Sequence, residues 1–216
     1  MLKIAPSVLA ADFARLGKEA ESIRLAGADM IHFDVMDGLF VPNLSLGFPV
    51  LESLRRATTL PIDVHLMIER PIRYVGDFCT AGADHVTLHM EADTVEANLD
   101  ALEKIRAMGK TAGIALKPAT PAEAAEPFLK LCDMILVMTV EPGFGAQRFM
   151  EHTLPKISAL RQRLDEVNPG CDIEVDGGIN AGTAVMARNA GANVLVTGSF
   201  IFSSPDRAAA IAALRG

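Results

Sequence analysis

The run MIHFDVM (30–36) divides cleanly by parity: Ile31, Phe33 and Val35 share one face of an extended chain, His32, Asp34 and Met36 the other. Seven further short runs have the same apolar, strand-forming character. They are KIAPSVL (3–9), IDVHLMI (62–68), HVTLHM (85–90), TAGIALK (111–117), MILVMTV (134–140), DIEVD (172–176) and NVLVTG (193–198). Between them apolar residues recur at helical spacing, as in DFARLGKEAESIRLAG (12–27), EANLDALEKIRAMG (96–109) and TLPKISALRQRLDEV (153–167), and PDRAAAIAALRG (205–216) closes the series. Three phrases repeat: AGADMIHFD (26–34), AGADHVTLH (81–89) and AGANVLVTG (190–198). Each ends a helical pattern at a glycine suited to the left-handed conformation (Gly27, Gly82, Gly191) and opens an apolar strand. Eight strands alternating with helices predict an α/β fold, a (β/α)8 TIM barrel, as a single catalytic domain over residues 1–216. A doubly wound open sheet is the competing architecture. Its G-x-G-x-x-G turn is missing after the first strand, where the chain reads LAADFARLG.

Composition narrows the function classes. Half of the 216 residues are hydrophobic, enough for a large core, and 27 acidic against 20 basic residues leave a net charge of −7. Neither a nucleic acid nor an anionic membrane attracts such a chain, so no partner of those kinds is expected and any phosphate must be gripped locally. Cys79, Cys132 and Cys171 are odd in number and widely spaced, which suits core thiols of a reducing compartment. MLKIAPSVLAAD is broken by Pro6 and is read as a first strand, not as a leader.

In barrels of this kind chemistry gathers at the C-terminal strand ends. His32, Asp34, His65 and Asp176 all fall there, on three strands, and two imidazoles with two carboxylates form a ligand set for one divalent ion. Zinc, iron(II) and manganese suit it best, and cobalt is also admissible. His85 opens its strand at the opposite end, His152 falls at a helix start, and His89 near the rim is placed to orient a ligand. Glu174 lies one layer below Asp176, where a buried carboxylate needs a partner; Lys117 or His89 is expected to supply it. Met36, Met67 and Met138 also fall on inward faces, where core filling is their ordinary use. The glycine-rich loops EPGFGAQ (141–147), DGGIN (176–180) and TGS (197–199) follow strands six to eight, where barrels commonly hold phosphate, although Gly143 and Gly145 serve equally well as turn residues.

Taken together, SVLAADFARL, HFDVMDGLFVPNLSLG, DVHLMIERP, VMTVEPGFGAQRF and EVDGGIN resemble the ribulose-phosphate 3-epimerase family along essentially the whole chain. The resemblance implies a metal-dependent isomerase that interconverts D-ribulose 5-phosphate and D-xylulose 5-phosphate. It implies that His32, Asp34, His65 and Asp176 bind the metal, with Asp34 and Asp176 as the two acid/base groups. Ser7 and His65 would contact the sugar, and Met36, Met67 and Met138 would cap the reacting carbon, in place of the core-filling reading. Gly143, Phe144, Gly145, Ala146, Asp176, Gly177, Gly178, Gly198 and Ser199 would hold the substrate chain and its phosphate. Ala146, Met90 and Lys117 depart from the family's common glycine, proline and asparagine, and alanine resists the positive φ that glycine allows. An epimerase for a six-carbon ketose phosphate such as D-allulose 6-phosphate is the nearest rival. Decarboxylase and aldolase-like barrels carry D-x-K-x-x-D, which DVHLMI lacks. A cytoplasmic homo-oligomer is the expected form.

Overall fold

In the computed structural model, which describes residues 1–216, the strands are β1 (Lys3–Pro6), β2 (Ile31–Met36), β3 (Ile62–Met67), β4 (His85–His89), β5 (Thr111–Leu116), β6 (Met134–Met138), β7 (Asp172–Asp176) and β8 (Val194–Thr197). All pairings are parallel, in the order β1-β8-β7-β6-β5-β4-β3-β2. The remaining gap, between β1 and β2, is closed by a single bridge from Ser7 to His32. The architecture is the nearly closed eight-stranded barrel that the alternating patterns predict, with strands one to three residues shorter at several ends.

The helices are α1 (Leu16–Leu25), α2 (Phe48–Ala57), α3 (Val75–Ala81), α4 (Val95–Ala107), α5 (Leu154–Val167), α6 (Ala181–Ala190), the single turn α7 (Ser199–Phe202) and α8 (Arg207–Arg215). The outward strand residues, among them Ile31, Phe33, Ile62, Val64, Leu66, Val86, Leu88, Ile135 and Leu195, are buried against this layer. The connection from β5 to β6 departs from the expected alternation, for it carries only a 3-10 turn at Ala122–Ala125. Pro118, Pro121 and Pro127 punctuate that segment, and a proline inside a helix removes a donor and clashes with the preceding turn.

The repeated phrase has a physical purpose. Gly27, Gly82 and Gly191 adopt φ of +93°, +121° and +114° as α1, α3 and α6 end. Two residues on, Asp29, Asp84 and Asn193 each accept a backbone N–H from the first or second residue of the neighbouring strand, from Ile4 (2.7 Å), Ile62 (2.9 Å) and Ile173 (2.7 Å). Asp133 does the same for Ala112 at 2.9 Å without the glycine phrase. Arg215, Arg55 and Arg106 hold Asp29, Asp84 and Asp133 in turn. Each unit thus clamps its predecessor at the base of the barrel and sets the register that delivers side chains to the opposite end. No helix is long and apolar enough to cross a membrane.

Candidate active site

The β2–β3 register pairs His32 with Asp63, Asp34 with His65 and Met36 with Met67. The inward face is therefore polar on its two lower rungs and lined by thioethers at the rim. His32 and His65 are fully buried and Asp34 is nearly so, while Asp176, at the end of β7, reaches the same point from the far side of β1 and β8. His32 Nε2 lies 3.3 Å from Asp34 Oδ1 and 4.0 Å from Asp176 Oδ2. His65 Nδ1 lies 3.2 Å from Asp34 Oδ1 and 3.8 Å from Asp176 Oδ2. Ligands about 2.0–2.1 Å from a tetrahedral ion stand about 3.3 Å apart, so these separations suit a common cation.

The hydrogen bonds behind the site sharpen that fit. His32 Nδ1 is 2.6 Å from Asp63 Oδ2, and its other nitrogen, Nε2, is buried without a hydrogen-bond partner. His65 Nε2 is 2.9 Å from His89 Nε2, and His89 Nδ1 is 3.2 Å from Glu91 Oε2. Glu91 Oε1 accepts from the Lys117 amide at 2.8 Å and from Thr120 Oγ1 at 2.5 Å. The site atoms that converge are thus two ring nitrogens and two carboxylates, a donor set that fits a divalent ion.

Electrostatics agree. Burial disfavours charge on His32, yet Asp34, Asp63 and Glu174 together raise its pKa well above the usual imidazole range. Burial likewise works against Asp34, but His32 and His65 outweigh it and hold that carboxyl far below its ordinary value. Asp176 moves the other way: burial, then the Asp34 charge, lift it to about 6. Carboxylates pushed apart in this way are equipped for opposite proton-transfer roles. Burial also lowers His89 to about 4, keeping it neutral.

Above the His/Asp cluster opens a cavity of about 660 Å³. Ser7, Asp34, Met36, Met67, Met138, Asp176 and the loops 140–147, 176–180 and 196–200 line it. Every expected site residue except His32 and His65 borders this space; the two histidines lie beneath its floor. Ser7 Oγ donates to Asp34 Oδ2 at 2.5 Å. Gly177 and Gly178 adopt φ of +124° and +68°, and a Cβ on either would collide with Val140 or with the Phe149 backbone. Only glycine lets this loop pack so closely against Val140 and the Phe149 backbone. Asn43 Nδ2 donates to the Gly143 carbonyl at 2.8 Å, and Gln147 Nε2 donates to the carbonyls of Glu141 and Phe144, so the 141–147 loop is braced from outside by Asn43 and from within by Gln147. Ala146 has φ of +59°, the conformation in which glycine would be at ease.

The expected partner of Glu174 needs correcting. Neither Lys117 nor His89 meets it: Lys117 Nζ sits 3.9 Å over the Phe40 ring, and His89 faces His65 and Glu91. Glu174 instead lies beside His32 Nδ1 at 3.5 Å, and burial followed by the Asp63 charge drives its carboxyl well above the usual range. Burial and the neighbouring Asp63 thus disfavour a second carboxylate charge on the floor of the barrel. Asp63, at 2.6 Å from His32 Nδ1, and Glu91, at 3.2 Å from His89 Nδ1, were not singled out in the sequence. The signal was available, since Asp63, His65 and Met67 alternate on one face as His32, Asp34 and Met36 do.

A profile described as the Ribulose-phosphate 3 epimerase family matches residues 3–202. The ribulose-phosphate 3-epimerase of a Synechocystis strain is 48% identical over 212 residues, which cover 98% of this chain and 92% of the relative. That of Bacillus subtilis is 46% identical over 217 residues, covering 100% and 99%. Among solved structures, KGPDC from Streptococcus mutans superposes with a TM-score of 0.75 at 16% identity, covering 100% of this chain and 96% of that one. A 3-hexulose-6-phosphate synthase gives 0.74 at 20%, covering 99% and 98%. At such identities these two structures show the shared fold alone.

Proposed function

The chain belongs to the ribulose-phosphate 3-epimerase family and is a carbohydrate epimerase; from that premise we propose that it interconverts D-ribulose 5-phosphate and D-xylulose 5-phosphate by two-base proton transfer at carbon three, with one divalent ion. The observation that carries the mechanism is the meeting of Asp34 and Asp176, from strands on either side of β1 and β8, directly over the nitrogens of His32 and His65. His32, Asp34, His65 and Asp176 would hold the ion; zinc, iron(II), manganese and cobalt all suit their chemistry. The ion supplies Lewis acidity that stabilises negative charge on the substrate's ketone and hydroxyl oxygens.

The protein's own groups do the remaining work. One aspartate removes the proton from carbon three, and the other delivers a proton to the opposite face; the reverse reaction exchanges their duties. Their approach to one point from strands on either side of β1 and β8 supports this division. Met36, Met67 and Met138 exclude water from the charge that develops, and Ser7 orients Asp34 while facing the sugar. Backbone amides of the 177–178 and 198–199 segments are suited to the phosphate, which a net-acidic chain cannot hold by overall charge.

In heavy water the enzyme should place deuterium at carbon three of ribulose 5-phosphate. Asp34→Asn and Asp176→Asn should each slow turnover on the order of 10²-fold or more while the fold survives. Absence of exchange in the wild-type protein would end the reaction assignment. Exchange that persists after complete metal removal would end the metal assignment. Faster turnover of allulose 6-phosphate than of the pentose would favour the six-carbon rival.

A further inference from the structure

Both histidines of the site present one ring nitrogen to its centre, but not the same one. His32 turns Nε2 toward Asp34 and Asp176, whereas His65 turns Nδ1. The groups behind each ring account for the difference. We propose that Asp63 and Glu91 are positioning residues, each anchoring the far end of a hydrogen-bond chain that fixes which nitrogen its histidine offers to the cation. This inference rests on the metal-site reading above and specifies how that site is built.

The Glu91 chain can be followed atom by atom. Ionised Glu91 can only accept, and it already takes hydrogen bonds from the Lys117 amide and Thr120 Oγ1. His89 Nδ1, 3.2 Å from Glu91 Oε2, must therefore carry a hydrogen. A neutral imidazole carries only one, so His89 Nε2 is an acceptor, and its neighbour at 2.9 Å, His65 Nε2, must donate to it. In neutral His65 that leaves Nδ1 bare, facing Asp34 Oδ1 at 3.2 Å. A lone pair opposite a carboxylate is unfavourable unless positive charge lies between them, and the proposed ion supplies it. The Asp63 chain is one step long. Asp63 Oδ2 at 2.6 Å from His32 Nδ1 requires the hydrogen on that nitrogen and leaves Nε2 free for the same centre. Glu174, at 3.5 Å from the same nitrogen, fills the space behind.

Neither Asp63 nor Glu91 borders the substrate cavity, so neither touches substrate. The inference is tested on protein carrying isotope-labelled histidine and loaded with an NMR-active cadmium isotope, in which one-bond couplings identify the coordinating nitrogens. Coupling to Nε2 of His32 and Nδ1 of His65 is expected. Asp63→Ala and Glu91→Ala should each weaken cadmium and zinc affinity roughly 10- to 100-fold in chelator competition. Asp63→Asn and Glu91→Gln, which keep an acceptor oxygen facing the ring, should recover most of that loss. Coupling to the opposite nitrogens, or unchanged affinity in folded alanine variants, overturns this inference while leaving the metal site standing. Absence of any histidine coupling in the wild-type protein overturns both readings. The coupling pattern needs no variant, so a substitution that fails to fold does not blunt the test.

Discussion

At the scale of single residues, Ala146 shows what a small departure entails. Its φ of +59° places a Cβ where the backbone disfavours one, in a loop that lines the cavity. Left-handed geometry costs an L-residue about 1–2 kcal/mol, partly offset because alanine also restricts the unfolded chain. Ala146→Gly should therefore gain on the order of 0.5–1 kcal/mol in urea unfolding; a loss of stability would mean that the Cβ makes contacts that repay the strain. Glu91 yields a second expectation. Burial alone raises its carboxyl, but His89, Thr120 and the Lys117 amide outweigh burial and bring it to about 2, against 4.5 ordinarily. As pH falls, the unfolded chain takes up this proton first. The stability Glu91 contributes is complete above about pH 4.5 and is lost toward pH 2. The advantage of the wild-type protein over Glu91→Gln in unfolding experiments should accordingly shrink between pH 5 and pH 3, and a constant gap would show that Glu91 does not titrate this way. Strand parity made the convergence of His32, Asp34, His65 and Asp176 legible, because alternation fixes the face and position along the strand fixes the height. The company of Glu174 was not legible in that way. It meets His32 across the barrel lumen, and one-dimensional spacing does not reveal which residues face each other across a closed wall.

Elements lock together at the base of the barrel. The AGAD and AGAN phrases were readable as repeats and as helix ends, but their acidic or amide residue was silent in the sequence. Its role depends on an N–H at the start of the preceding strand, some 20 to 25 residues away in the chain. Asp84 serves three neighbours: it accepts from the Ile62 amide at 2.9 Å, pairs with Arg55 at 2.8 Å and lies 3.8 Å from Lys110 Nζ. Asp84→Ala leaves the Ile62 N–H without its acceptor and should cost about 1–3 kcal/mol in chemical denaturation. Asp84→Asn, which keeps an oxygen, should cost less; equal losses would assign the effect to charge instead of the clamp. The connection from β5 to β6 illustrates the opposite case. Its prolines announced that no regular helix would form there, yet the count of alternating units did not use them.

Across the whole molecule the barrel wall is uneven. Seven of its junctions are continuous ladders, and the eighth is the lone Ser7–His32 bridge, with Asp29 gripping Ile4 below it. Ser7 and His32 are also the residues from which the site rises, one tied to Asp34 and the other a proposed ligand. Ion and sugar phosphate in the mouth would thus fasten the wall at its weakest rung. Backbone amide exchange is the direct gauge of that fastening. Protection should increase most at residues 7–9 and 31–34 and least along the β4–β6 ladders, whereas a uniform gain would mean that the barrel gives way everywhere at once. Such an enzyme would be stiffest when occupied and slackest in the instant after product departs.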